Sequence, residues 1–539
     1  MAEELSAVHQ KGLNLLASPE GMPEEATPDC GNILIGLGGK IATRDGSDVS
    51  TLTLPTAAGA TAELYVAEET GFSGIGGSQI LYTGGKIYRT TNTPSGTDSS
   101  PVDIGSYTTT PSALVSERPF ATRYTDTLTT GTLTEYTVTT FGVSAPQTLV
   151  AGATSHSTVT HPSGDWTTAN GFPRVCASYA GRVFYMGSKA FPGRIWISDV
   201  GKVATFTTSS PALATDSFVL DLDLITGGRI VSSSHLFNIL VVFTSQGAYR
   251  IVVSSSATSP FTSEFVTNKA LVGRHALVQA EELIYFMTEE GVFQANTALT
   301  FGDIQTQEIS IPIAPIFKQT AAWKLAGANL VYDRSSKLLY VFVEHDYAFS
   351  QSSAVAAPYT QTQADTEMDA GREVFPSGVT EVLVFDTHSA SGAWTRFFYP
   401  FLIDFAVARD QGNGETALEA YQRTSTTTIK EHELMSPGLT DDAGTAMPSY
   451  FRGKRTTFKT FSKRKIRMFL HTDLSSGAVT AKVSTDGGAF TALPDAISEG
   501  LSRQAVIGTG KTAQVEYSAA SGAWELNSYE IRSKIRGER

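Results

Sequence analysis

The densest chemical feature of the sequence is cationic. Arg452, Lys454, Arg455, Lys459, Lys463, Arg464, Lys465 and Arg467 fall within sixteen residues, preceded by Phe451 and interleaved with Phe458 and Phe461. Cations at this spacing have three uses. They can be a solvated strand pair guarding a sheet edge, a surface that docks on an acidic neighbouring ring of protein, or a contact for phosphate. The sequence leaves all three open.

The other residue types that could do chemistry are isolated. Ser484-Thr-Asp-Gly-Gly488 approximates the Asp-box of sialidase-type propellers, with Thr491 where an aromatic is expected. A single copy reads as an Asp-Gly β-turn. Glycan hydrolysis needs two carboxylates facing across a cleft. Asp221, Asp223, Glu281, Glu282 and Glu289 are available, each beside a strand or in a turn, where solvated charge is the ordinary reading. The nine histidines form no H-x-x-x-H pair, and His432-Glu433-Leu434 has no second histidine nearby to hold zinc. Gly36, Gly38 and Gly39 lack both the G-x-G-x-x-G spacing and a Walker lysine. Gly-x-Ser-x-Gly occurs nowhere. The expectation is therefore of no catalytic, cofactor-binding or metal site, no cofactor, and no enzyme.

Whatever these residues do, strands must position them. Arg182-Val-Phe-Tyr-Met-Gly187, a turn with Pro192 and Gly193, and Arg194-Ile-Trp-Ile-Ser198 form a strand–turn–strand unit too small to bury its own apolar face. The shape returns at Ser78–Arg89, His235–Val252, Glu281–Gln294, and Asp333–Val343 with Glu381–Phe397. Recurrence at roughly 45–55 residues predicts an all-β chain built as a β-propeller of about six blades, between five and seven.

Charged residues make up only 17% of the 539-residue chain, and the net charge is −13. That balance argues against a free-standing nonspecific nucleic-acid binder and suits ordinary acidic solubility or a channel wall past which DNA slides. Cys30 and Cys176 give no disulfide framework and read as small apolar fillers. No apolar run reaches the roughly eighteen residues of a membrane-spanning segment. The N-terminus lacks the basic-then-apolar order of a signal peptide, so synthesis in a cytoplasm is expected.

Composition divides the chain as follows. Residues 1–46 are a Pro-punctuated N-terminal segment ending in a hairpin-like pair of strands. Residues 47–90 are the first blade, and 91–172 an inserted β-sandwich-like module rich in Thr and Ser. Residues 173–430 hold the remaining blades, with a long polar loop at 346–380. Residues 431–449 are a linker, and 450–539 a C-terminal β module.

Gly12-Leu-Asn14, Ser18-Pro19, Met22-Pro23, Asp29-Cys-Gly-Asn32 and Arg44-Asp-Gly46 resemble the opening of a family of phage tail proteins. So do Pro173-Arg174, Tyr179-Ala-Gly-Arg182, Arg194-Ile-Trp-Ile-Ser-Asp-Val-Gly201 and Phe206, and the basic strand followed by Val483-Ser-Thr-Asp-Gly-Gly488 and Tyr529-Glu-Ile-Arg532. The family is the tail nozzle of short-tailed bacteriophages, also called tail tubular protein B or packaged-DNA stabilisation protein. The resemblance implies a virion tail component, a homohexameric ring below the portal and adaptor. Such a ring retains packaged DNA, conducts it at ejection without sequence-specific binding, and meets an adaptor or tubular ring and tail fibres or a needle. The eight cations would then dock to a ring. Loop residues Asp365, Glu367, Asp369, Gly371, Glu373 and Gly378 would line or gate the channel. The competing expectation is a glycan-binding or glycan-cleaving propeller acting in receptor recognition.

Overall fold

The computed structural model describes residues 6–535 apart from several stretches, of which 344–379 is the longest and 70–77, 91–100, 109–117 and 458–464 are others. The described chain is almost wholly β, with short helices at Ile311–Ile313 and Ala314–Gln319 and a helical turn at residues 325–326.

Seven small sheets follow one another, each built on four consecutive antiparallel strands or, in the last, three; Gly12–Leu13 and Ala26–Thr27 extend the sixth, and Ser47–Thr53, Asp441–Asp442 and Thr445–Ala446 the last. The third shows why they form. Val175–Tyr179 and Arg182–Met186 are joined by a tight turn, with Ala180 at φ 49° and Gly181 at φ 68°, and longer connections lead on to Arg194–Ile197 and Phe218–Asp221. Arg182–Met186 is buried along its whole length, as a strand covered on both faces must be. Phe184, Met186, Ile195 and Ile197 pack with Leu240, Val242 and Ile251 of the next sheet. Val183, Tyr185 and Trp196 pack with Tyr124 and Val138 of the sheet before. Each sheet thus hides its faces only between two neighbours, which is the physical reason for a ring.

The first strands lie innermost and pack in succession: Phe120–Thr127, Val175–Tyr179, Ile230–Leu236, Leu277–Ala280, Asn329–Asp333, Phe405–Asp410 and Leu64–Glu69. The all-β propeller expected from the repeat is present. Six of the sheets are the expected blades. The seventh, Phe120–Thr127 to His156–Thr158, comes from the stretch expected to be an inserted module; it stands in the ring beside them.

Two expected boundaries move. Ser47–Thr53 is not in the first blade; it pairs with Thr428–Leu434 and adds the outer strand of the last sheet, so the N-terminal part of the chain closes the ring. The first sheet runs instead from Leu64–Glu69 to Val102–Ser106, past the boundary expected at residue 90. Sequence spacing hides this because an outer strand far away in the chain looks like any other strand.

The remaining sheet has eleven strands and is nearly closed. Its path runs Asp29–Gly31, Ser449–Arg452, Thr512–Ala519, Lys465–Thr485, Glu525–Ile535, Ile41–Thr43 and Ile33–Ile35. The hairpin expected before Gly46 forms, Ile33–Ile35 pairing with Ile41–Thr43, but as part of this C-terminal sheet. Its interior holds Ile33, Ile35, Ile41, Phe451, Val479, Ala481, Tyr517, Trp524 and Leu526. The cysteines are free and buried, and burial pushes both thiols up to about 12, which suits fillers rather than nucleophiles.

Candidate functional site

The N-terminal segment, the ring and the C-terminal sheet meet at one buried guanidinium. Arg44 donates through Nη1 to Asp442 Oδ1 (3.0 Å) and through Nη2 to Asp442 Oδ2 (2.5 Å). Its Nε donates to Asn32 Oδ1 (3.1 Å), and its remaining hydrogens go to the carbonyls of Asp45 (2.8 Å) and Phe398 (3.1 Å). All five donors are used. The cation lies 4.1 Å from the centroid of Tyr399 and 5.4 Å from that of Phe397. Burial alone would lower the Arg44 pKa; Tyr399 and Asp442 reverse that and hold it above its ordinary value. Asn32, at φ 54°, also donates to the Pro448 carbonyl (2.7 Å) and accepts from the Phe398 amide (2.7 Å). Two glycines allow the approach. A Cβ on Gly12 would stand 2.5 Å from the Trp394 carbonyl oxygen, and one on Gly46 2.0 Å from that of Asp441.

At the axis of the ring lies a cavity of about 400 Å³, lined by five of the innermost strands. Tyr65 and Phe405 stand edge to face at 5.2 Å, and Thr122, Gln279 and Asn329 supply hydroxyl and amide groups. No carboxylate is among its described lining residues. One end is crossed by the segment Arg118–Phe120. Arg118 donates to the carbonyls of Asp404 (2.7 Å) and Gly327 (3.5 Å), while its own carbonyl accepts from Arg274. The Pro119 carbonyl accepts from Nε2 of His275 (3.0 Å). Burial, then the charges of Arg118 and Arg274, push the His275 pKa well below its ordinary value, so the ring is neutral and carries its proton on Nε2. The blade axis is thereby tied across by side chain–backbone bonds between sheets. Sequence reasoning missed this strap because its partners lie just before the first strands of three other sheets, far apart in the chain.

The expected site residues are scattered. Arg452 pairs with Asp29 (2.5 Å) and Glu516 (2.7 Å), so its charge is taken up inside the subunit. Lys454 and Arg455 are half-buried, and Lys465 and Arg467 lie in the long strand Lys465–Thr485. Lys459, Lys463 and Arg464 lie outside the described residues, as do Asp365, Glu367, Asp369, Gly371, Glu373 and Gly378. Ser484–Gly488 is a turn of the expected kind, with Asp486 at φ 51° and Gly487 at φ 74°, and Asp486 Oδ1 accepts from the Thr512 amide (3.0 Å). Asp221 and Glu281 are exposed and paired with Arg194 and Lys337. His432 is buried and stacked on Phe401, with ring centroids 3.7 Å apart. Among the described residues no three His, Cys, Asp or Glu side chains come together as metal ligands.

No family of known sequences and no curated protein matches the chain. Solved structures do. The extracellular domain of a one component system of B. thetaiotaomicron is 11% identical, with 71% of this chain and 39% of that one covered at a TM-score of 0.36. A second structure, the corresponding domain described as a hybrid two component system, is 10% identical, with 84% and 47% covered at 0.36. The chain therefore spans less than half the length of either. The exo-β-1,3-galactanase of Phanerochaete chrysosporium is 10% identical, with 89% and 100% covered at a TM-score of 0.22. A glycoside hydrolase is also 10% identical, at 0.26. The class that the fold defines is a β-propeller protein with an appended, nearly closed β-sheet. The expectation that the chain is no enzyme is corrected here, because glycoside hydrolases stand among the similar structures. Likeness at this level assigns no reaction.

Proposed function

We propose that the protein is a structural subunit of a short phage tail. In this reading it forms a hexameric nozzle ring that retains packaged DNA and conducts it at ejection. What supports the reading is the use to which the fold puts the residues of the resemblance. Gly12, Asn32, Arg44 and Gly46 all stand at the joint between ring and C-terminal sheet, where a Cβ or an unpaired donor could not be accommodated. The shared motif is thus one of architecture. A subunit that must hold two β bodies in fixed relation while DNA presses through an assembly needs such a joint. The test is mass photometry with negative-stain imaging of the purified chain: hexameric rings with an axial opening are expected, and a monomer under all conditions overturns the reading.

A second reading, glycan binding in receptor recognition, is favoured by the axial cavity. An aromatic pair beside hydroxyl and amide groups is a surface on which a sugar ring can stack and hydrogen-bond. A glycan array decides it. Binding that is lost in Tyr65→Ala and Phe405→Ala supports this reading, and an array without signal sinks it.

A further inference from the structure

The wall of the axial cavity carries two hydrogen-bonding atoms that the fold itself leaves unused. Asn329 opens the strand Asn329–Asp333 and is only 6% exposed. Its Oδ1 accepts from the Ala406 amide (2.9 Å), which fixes the orientation of the side chain and makes Nδ2 the outward donor. That Nδ2 has no hydrogen-bond partner among the described residues. His275 is half-buried in the same wall, its ring centroid 4.8 Å from that of Tyr65 and 5.2 Å from that of Phe405. Its Nε2 is spent on the Pro119 carbonyl, so Nδ1 is a lone-pair acceptor, again with no partner among the described residues. Neither atom is sealed in the core, and both residues line the cavity. The Leu330 amide donates to the His275 carbonyl (3.0 Å), which holds the two residues side by side at the start of adjoining innermost strands.

Native folds leave few buried polar groups without a partner. The occupant of this cavity must therefore offer an acceptor to Asn329 and a donor to His275. A hydroxyl is the group that does both. A carboxylate accepts from Nδ2 but has no proton for Nδ1. An ammonium group has a proton for Nδ1, but it meets no carboxylate among the described lining residues and faces the charges of Arg118 and Arg274, which help to hold His275 neutral. Tyr65 and Phe405, both buried, add an aromatic wall against which the C–H face of a sugar ring can pack. The cavity, about 400 Å³, is at the small end of the roughly 300–1,000 Å³ of small-molecule sites. That size suits a single sugar unit.

We propose that the axial cavity binds one uncharged sugar unit, with Nδ1 of His275 accepting from its hydroxyl groups and Nδ2 of Asn329 donating to them. The proposal rests on the glycan reading above and gives it a ligand class and the two residues that select it.

The test titrates galactose, glucose, mannose and N-acetylglucosamine into the full chain, with glucuronate and N-acetylneuraminate as anionic counterparts, and reads binding by saturation-transfer NMR. At least one neutral sugar is expected to bind about 10-fold or more tightly than either anion. Asn329→Asp keeps the oxygen that the Ala406 amide needs and turns the donor into an acceptor, so it should weaken that sugar by about 10-fold. Monodeoxy forms of the bound sugar make the same measurement on the wild type, which covers a variant that does not fold. One of them should lose about 10-fold, the hydroxyl that meets this pair being absent. Tighter binding of an anion overturns the proposal, as does neutral binding that no deoxygenation weakens. In either case the glycan reading stands. A glycan array with signal but none of these sugars bound also overturns the proposal alone, and a silent array overturns both.

Discussion

Arg44 and Asp442 stand 398 residues apart and form a two-bonded ion pair from which water is excluded, with side-chain exposures of 0% and 1%. The pair is closed into a network by Asn32 and by Ser47, whose hydroxyl donates to Asp442 Oδ1 (3.1 Å). Removing one partner leaves a buried charge uncompensated. Asp442→Ala is therefore expected to cost about 3–5 kcal/mol. Arg44→Met/Asp442→Leu should cost less than Arg44→Met or Asp442→Leu alone, as equilibrium denaturation of these three variants will read. A single substitution within about 0.5 kcal/mol of wild type contradicts the account.

The two close approaches give a second expectation. Gly46→Ala places a methyl 2.0 Å from the Asp441 carbonyl oxygen, and Gly12→Ala meets the Trp394 backbone at φ +63°. Backbone cannot yield as a flexible side chain does, so each should cost about 2–4 kcal/mol or prevent folding. Gly164 has φ +74° with nothing within 4 Å, and Gly164→Ala should cost only about 1 kcal/mol. Thermal melts that rank the three differently count against the packing described here.

His432 gives a pH dependence. Burial lowers its pKa to about 4, and Lys430 adds to this. A depressed folded-state value means that the unfolded chain binds the proton more readily. The stabilising contribution is present above the unfolded value near 6.5 and is lost as pH falls toward about 4, amounting to roughly 3 kcal/mol across that window. Neither ring nitrogen has a hydrogen-bond partner among the described residues. His432→Phe keeps the stack on Phe401 and gives up no such bond, so it should be neutral or stabilising at pH 7 and should flatten the decline in stability between pH 6.5 and 4. An unchanged acid slope in the variant refutes the assignment.

The strap across the axis makes the last expectation. Arg118 joins the carbonyls of Asp404 and Gly327, and burial leaves those groups no water to replace it. Arg118→Ala should cost about 2 kcal/mol or more and raise amide exchange at residues 120–122 and 275–279 before the rest of the ring. Exchange that rises uniformly, or only near residue 118, shows that the segment ties nothing across the axis.

How much of this was legible beforehand differs between elements. The units Arg182–Met186 with Arg194–Ile197, and Leu283–Met287 with Val292–Thr297, are contiguous runs of apolar and aromatic residues punctuated by turns. Their local pattern determines strand, turn and the need for a neighbour, and with the recurrence it determines a propeller. The Asp486-Gly487 turn is equally local, since left-handed backbone at two consecutive positions depends on residue type alone.

The tertiary structure decided what depends on residues far apart in the chain. Ser47–Thr53 closes the ring because the edge of Thr428–Leu434 is open, and a strand's own sequence does not say which edge it will cover. The cation-rich stretch announced charge, but Arg452 is spent on Asp29 and Glu516, which stand 423 and 64 residues away in the chain. Side-chain period fixes which residues of one strand share a face; only register between strands determines what stands beside them. Arg44 and Asp442 carry the same lesson: hydrogen-bonding capacity is written in each residue, whereas the partner that satisfies it is chosen by the fold.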